Sequence, residues 1–213
     1  MKLKNTLFFI AVFTTLGLLS LSAQSQVQIG VNGGRLEGTG SSQWGFGGHV
    51  KFLVADKFAI GVAARGYPKN VKTSDINFGG NNYKMTRGNT IVPVTGSLDY
   101  YFGKAPVRPY IGADIGAYFR QYVLTITQNN GSSSYYNTSD KQTFFGAAPR
   151  AGLNVELGPV GIFGQAGYNF LFGSGDKNNI TVPGVNNDID TKPTDKFWTF
   201  DVGVFFKIGG GSN

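Results

Sequence analysis

The chain has 213 residues and a formal net charge of +7, with 41% apolar, 14% aromatic and only 15% charged side chains. The low charged fraction excludes an intrinsically disordered chain, and 32 glycines without a three-residue period exclude a collagen. Because the chain has no cysteine and a single histidine, His49, it offers no disulfide framework, thiolate zinc site or multi-histidine metal site. The sequence therefore predicts neither a metal ion nor a cofactor.

Residues 1–25 have the pattern of a cleaved secretory signal peptide. Lys2 and Lys4 precede an apolar run over 7–21, and cleavage after Ala23 or after Ser25 fits equally well. The run is shorter than the roughly 20 residues that a membrane-spanning helix needs, although a retained anchor is the alternative. Without the two lysines, the rest of the chain carries a net charge of +5.

Residues 26–209 are dominated by apolar side chains that alternate with polar residues or glycine, the period of a strand with two different faces. The pattern predicts strands at 27–32, 46–54, 58–65, 92–102, 111–120, 145–157, 162–170 and 198–208. Two prolines disturb it: we expect Pro93 at the start of its strand and Pro149 at a β-bulge. Residues 210–213 are predicted to be a flexible tail.

Short and long connections alternate along the chain. Those at 55–57, 103–109 and 158–159 are short, whereas those at 35–43, 68–89, 121–142 and 173–195 are long. Long structureless loops are uncommon in compact soluble domains but expected on one side of a transmembrane barrel. An even number of strands places both termini on the opposite, periplasmic side. The competing fold is a soluble lipocalin-type barrel with an apolar interior.

Aromatic residues gather at the ends of the predicted strands, as at the interfaces of a bilayer. Tyr100, Phe102 and Tyr110 flank one short turn; Trp44, Phe119, Phe172 and Trp198 lie near the long connections. Together with segments such as Pro109 to Gly116, the pattern resembles the small bacterial outer-membrane β-barrels, including the OmpA membrane domain, OmpX, OmpW and the porin-like group. The resemblance implies an all-β, eight-stranded, antiparallel, up-and-down transmembrane barrel in the outer membrane. It also implies outer-membrane lipid and the barrel-assembly machinery as partners.

The polar faces of the predicted strands carry charges of both signs in near balance, as a buried network requires. We expect an interior polar network of ten residues: His49, Lys51, Arg65, Asp99, Asp114, Arg120, Arg150, Glu156, Asp201 and Lys207. Glycines on the same faces would make room inside a narrow barrel.

The predicted loop at 68–89 carries Lys69, Lys72, Lys84 and Arg87 against one aspartate. If this loop faces outward, the four cations could pair with lipid phosphates. Our hypothesis is that they form a contact for lipopolysaccharide.

No GxSxG element is present and no acid is spaced to orient His49, so an enzyme is not predicted. No basic stripe or binding motif points to nucleic acid. The sequence favours a monomeric, non-enzymatic barrel with a largely plugged interior that serves envelope structure or surface interaction. The alternatives are a passive channel for small or apolar solutes and a lipid-modifying enzyme.

Overall fold

The computed structural model describes residues 26–38, 41–54, 57–78, 81–128, 134–172, 179–180, 189–190 and 195–209. Its strands are β1 (Gln26–Gly38), β2 (Ser41–Val54), β3 (Phe58–Phe78), β4 (Asn81–Tyr101), β5 (Val107–Gln128), β6 (Ser134–Leu157), β7 (Val160–Phe172), β8 (Asn179–Ile180), β9 (Ile189–Asp190) and β10 (Lys196–Ile208). The predicted signal peptide and tail lie outside the described residues. Within those residues, no helix is long and apolar enough to cross a membrane.

Eight strands close into one antiparallel barrel in the order β1-β10-β7-β6-β5-β4-β3-β2. The first and last barrel strands close the sheet, with Val27 opposite Ile208 and Gly38 opposite Phe197. Strands β8 and β9 pair only with each other, inside the predicted 173–195 connection. The eight-stranded, antiparallel, up-and-down barrel predicted from the sequence is confirmed.

The three predicted short connections are confirmed, although β5 already begins at Val107, inside the one predicted at 103–109. Three of the four predicted long loops are wrong. The one at 35–43 is mostly strand, because β1 extends to Gly38 and β2 begins at Ser41. Strands β3 and β4 continue as a paired hairpin to Phe78 and Asn81, and β5 and β6 continue to Gln128 and Ser134. These four strands contain 21 to 24 residues each, about twice the 9–11 residues that cross a bilayer. Where both faces of a hairpin meet water, its strands need no alternation, so the sequence pattern did not predict these extensions.

Outward side chains of the barrel are apolar and exposed, as Val31, Val62, Ile115 and Val202 illustrate. Inward side chains are mostly buried and many are polar or charged. The lipocalin-type alternative, with its apolar interior, is therefore wrong. One predicted interface aromatic, Tyr110, in fact points inward and is 2% exposed, because even-numbered residues of β5 face the interior.

Both internal prolines are accommodated without a change of register, so the two expectations about them are wrong. Pro93 lies in the middle of β4 and is paired with Tyr118 of β5, while the pairing with β3 skips it. Pro149 is paired with Ala113 of β5, while the pairing with β7 skips it and resumes at Arg150. Each proline thus interrupts the ladder on one side only, because neighbouring residues of a strand bond alternately to its two sides. The described register irregularities lie elsewhere, at 67–70 and 126–127.

Inward glycines allow adjacent strands to hold large side chains in a narrow interior. A Cβ added at Gly30 would lie 2.4 Å from the His49 ring, and one at Gly112 would lie 2.1 Å from the Asp99 carboxylate. The predicted role of these glycines in making interior space is therefore consistent with the structure.

We predict that Gly116→Ala destabilises the barrel by about 1–3 kcal/mol, as overpacking does. The new Cβ would lie 2.2 Å from the backbone oxygen of Val94, which cannot move without breaking its ladder. Gly66→Ala is the matched control, since its Cβ would have no heavy atom within 4 Å. Urea unfolding in lipid vesicles measures both variants, and equal stability of the two would contradict the prediction.

Candidate functional site

Six charged residues form a cluster in the middle of the interior, here called the central cluster: Lys51, Arg65, Asp99, Asp114, Arg150 and Asp201. The Asp99 carboxylate lies 2.9 Å from the Lys51 Nζ and also pairs with Arg150. Asp114 lies 3.2 Å from the Arg150 Nε and 3.1 Å from the Arg65 guanidinium. Arg65 also reaches Asp201 at 3.3 Å. Three cations thus face three carboxylates, and no side chain of the six is more than 10% exposed.

Neutral side chains add hydrogen bonds around this cluster. Gln165 donates to Asp201 at 2.8 Å, while its amide oxygen accepts from Arg150 at 2.9 Å and from the Tyr110 hydroxyl at 2.8 Å. Asn32 donates to the second oxygen of Asp201 at 3.1 Å. Since buried charges are costly unless both paired and hydrogen-bonded, these contacts stabilise the cluster.

His49 lies on the inward face of β2 and is 7% exposed. One ring nitrogen lies 3.2 Å from the Gln28 amide nitrogen, and the ring meets Phe163 edge-on at 5.1 Å between centroids. Phe163, which breaks the alternation of β7 in the sequence, is simply an inward aromatic residue. The described contacts of His49 are with Gln28 and Phe163 and include no carboxylate or serine hydroxyl. These contacts are those of a histidine packed in the barrel interior.

A second ionic group lies at the short-turn end of the barrel. It consists of Arg108, Glu156 and Lys207 and is here called the lower cluster. Glu156 accepts from Arg108 at 3.2 Å and from Lys207 at 2.5 Å. The Arg108 guanidinium stacks over the Tyr101 ring at 4.6 Å. Arg108 was not predicted as an interior residue, because it lies next to Pro109 in a segment predicted to be a turn. In the structure β5 already begins at Val107.

An apolar layer lies between the central cluster and the long hairpins. Seven buried side chains form it, one from each barrel strand except β2: Leu36, Tyr67, Ile91, Tyr118, Phe144, Leu171 and Phe197. On β2 the residue paired with Leu36 is Gln43, which is 3% exposed. Alternation alone does not reveal this layer, because its members occupy the same face as the charged residues nearer the short turns.

Arg120 is separated from the ion pairs of the other predicted interior residues. It lies on the inward face of β5, two residues beyond Tyr118 and on the hairpin side of the apolar layer. Its guanidinium donates to Asn89 of β4 at 3.0 Å. The structure thus places eight predicted residues in the two ionic clusters, and places His49 and Arg120 elsewhere in the interior.

The four predicted lipopolysaccharide contacts all lie on the β3–β4 hairpin, on different faces. Lys72 is directly opposite Arg87, and Lys84 is directly opposite Asp75. Paired residues share a face and side chains alternate along a strand, so Lys84 points away from the Lys72–Arg87 pair. Lys69 lies at the register irregularity of β3, where its side chain is outside the description.

Comparison with solved structures identifies the same architecture. Ail, the attachment invasion locus protein of Yersinia pestis, in complex with the heparin analogue sucrose octasulfate, aligns at 14% identity and a TM-score of 0.50, over 87% of this chain and 98% of Ail. A major outer membrane protein from Thermus thermophilus aligns at 13% identity and a TM-score of 0.51, over 86% of this chain and 99% of that one. Neisserial surface protein A aligns at 19% identity and a TM-score of 0.45, over 88% and 98%. No protein-family model matches the chain, and no curated protein matches it in sequence.

We predict that Arg150→Met destabilises the barrel by about 3–5 kcal/mol, because Asp99 and Asp114 each lose a buried cationic partner. Arg35→Met is the matched control: Arg35 pairs with Glu37 on the surface, where side chains 46% and 38% exposed make a pair worth at most about 1 kcal/mol. Both are measured by urea unfolding in vesicles. Losses of similar size would show that the buried cluster is not a stabilising unit.

Proposed function

We propose that this chain is a non-enzymatic, monomeric protein of the bacterial outer membrane, inserted by the barrel-assembly machinery. It has the fold of the small bacterial outer-membrane β-barrels. In this proposal its interior is closed to solutes, and its long hairpins serve surface interaction or envelope structure. The observation that carries the proposal is a closed barrel with an apolar outer surface around an interior filled with paired charges.

The outer surface supports a membrane location. Large apolar side chains stay about half exposed or more on the barrel strands, for example Phe46 at 71%, Val202 at 70% and Val62 at 60%. A soluble monomer rarely exposes a continuous apolar surface of this kind, whereas a bilayer requires one. Closure of the sheet also pairs the strand edges, and lipid supplies no alternative hydrogen-bond partner.

The unequal lengths of the connections support an orientation. In outer-membrane barrels, short turns lie in the periplasm and long connections outside. Strand β1 begins and β10 ends at the end of the barrel where the short turns lie. We therefore propose that both termini are periplasmic and that the β3–β4 and β5–β6 hairpins project from the cell.

The layered interior supports a barrel that does not conduct. From the periplasmic end, a solute would meet the lower cluster, then the central cluster, and then the apolar layer. Eight strands leave an interior only just wide enough for side chains to fill. A path would require ion pairs to separate inside a low-dielectric interior, which is unfavourable.

In planar bilayers, we expect the purified barrel to give only rare, brief conductance events of small amplitude. Gly66→Ala, on the outer face, should give the same trace and serves as the control. A steady current through the wild type that disappears when Arg150 or Glu156 is changed would instead establish a passive channel gated by these ion pairs.

The Lys72–Arg87 pair supports the hypothesis of a lipopolysaccharide contact. Like charges directly opposite each other on neighbouring strands are destabilising, so a phosphate bound near both would relieve their repulsion. Ail, a barrel of the same fold, has been crystallised with the polyanion sucrose octasulfate. We propose that Lys69, Lys72, Lys84 and Arg87 contact lipopolysaccharide, with the paired residues Lys72 and Arg87 contributing most.

Changing all four residues to glutamine should weaken binding of purified lipopolysaccharide at least tenfold at low salt. The difference should shrink as salt screens exposed charges. Lys57→Gln with Lys104→Gln, at exposed positions by the short turns, removes cations from the opposite end of the barrel and should leave binding unchanged. Equal affinity of the fourfold variant and the wild type at low salt would refute the contact.

A further inference from the structure

The outer wall of the barrel contains a groove of about 690 Å³ between β4 and β10. Its floor consists of small side chains, Ala113, Pro149, Ala151 and Ala166, over the inward-facing residues Asp99, Gly112 and Arg150. A volume of this size lies within the range of about 300–1,000 Å³ that is usual for small-molecule pockets. Almost all the lining surface is apolar, so the groove suits a hydrocarbon ligand.

The walls of the groove are formed by larger outward residues. Leu98 and Ile111 stand on one side of the floor, and Tyr168 and Trp198 stand on the other, with their rings 4.8 Å apart. Phe58 and Tyr100 complete the lining near the short turns, and these rings are 5.0 Å apart. The groove therefore runs from one set of aromatic side chains to another.

The pairing register shows how the groove lies in the bilayer. One row of paired residues passes from Tyr100 through Ile111, Ala151 and Ala166 to Phe200. Barrel strands tilt by about 45°, so a row of this kind crosses the membrane diagonally. It starts beside the short turns, where Phe58 begins β3, and ends near the opposite interface, where Trp198 is the third residue of β10.

We infer that this groove holds one acyl chain of a glycerophospholipid. The groove is continuous with the apolar outer surface, whose surroundings in a bilayer are acyl chains. Tyr100, at the short-turn end of the groove, combines an apolar ring with a polar tip, as do aromatic residues at the headgroup level. In the proposed orientation this end lies in the periplasmic leaflet. Tyr100 can contact the ester region of a lipid there while its chain lies over Ile111, Ala151 and Ala166. The inference rests on the proposed membrane location.

The test is to fill the groove with larger side chains and to measure how many phospholipid molecules remain bound to the purified barrel. The barrel is reconstituted in vesicles of phosphatidylcholine, extracted in mild detergent and examined by native mass spectrometry. We expect one phospholipid to remain on the wild type. The variant Ala151→Leu with Ala166→Leu should retain it at least tenfold less often. Ala64→Leu makes the same change at an exposed outward position outside the groove and should retain it normally.

Each other outcome overturns the inference. Equal retention by the filled variant would show that the groove holds no lipid, and loss in Ala64→Leu as well would show only general solvation of the barrel. A dimer lost on filling the groove would identify a second copy of the chain as the occupant. Selective retention of lipopolysaccharide from mixed vesicles would exclude a phospholipid. Heat-modifiable migration on gels checks membrane insertion separately, so a failure of the proposed membrane location is distinguishable.

Discussion

Closure of the hydrogen-bond ladder is the constraint on which the rest of this structure depends. β1 pairs with β10 along their lengths, so the sheet has no open edge. At the proposed membrane location this pairing is required, because hydrocarbon offers an unpaired backbone group no substitute partner. Closure with only eight strands makes the interior narrow, and large inward side chains then need glycine beside them. Lys51, for example, packs where Gly61 of the neighbouring strand has no side chain: a Cβ there would lie 2.8 Å from the lysine stem. The narrow interior therefore accounts for the glycines, because each large inward side chain needs a neighbour without a side chain.

The central cluster links parts of the chain that do not pair as neighbouring strands. Lys51 on β2 meets Asp99 on β4, and Arg65 on β3 meets Asp201 on β10 across the interior. Lys51 and Asp99 lie on the two strands that flank β3, whereas the Arg65–Asp201 contact forms only when β1 has paired with β10. An unpaired charge in a partly formed barrel would be costly, so the cluster favours the closed state over partly assembled ones. The charges thus add cooperativity to a fold whose local contacts are individually weak.

The sequence predicted the parts of the strands that form the closed barrel wall and little beyond them. Alternation is imposed where one face of a strand is apolar and outward and the other faces the interior, and the predicted strand cores lie in those parts. The same signal cannot place strand ends or registers, and so it missed the hairpin extensions and Arg108. Alternation also could not separate the two ionic clusters or place Arg120 on the hairpin side of the apolar layer. Both depend on the height of each residue along the barrel axis, which alternation does not give. Tyr110 was assigned to the wrong face because an aromatic residue near a turn suits either the interface or the interior.

The two faces of each strand can vary independently, and this bears on the origin of the outer groove. Along β6 and β7 the inward residues beside the groove are Arg150 and Gln165, both large, whereas the outward residues Ala151 and Ala166 are small. Interior packing does not require a small outward residue at either position, since side chains on opposite faces do not compete for space. Pro149 adds to the same depression, and the ladder to β7 is interrupted beside it. The groove is therefore a property of the outer surface itself and not a by-product of how the interior is filled.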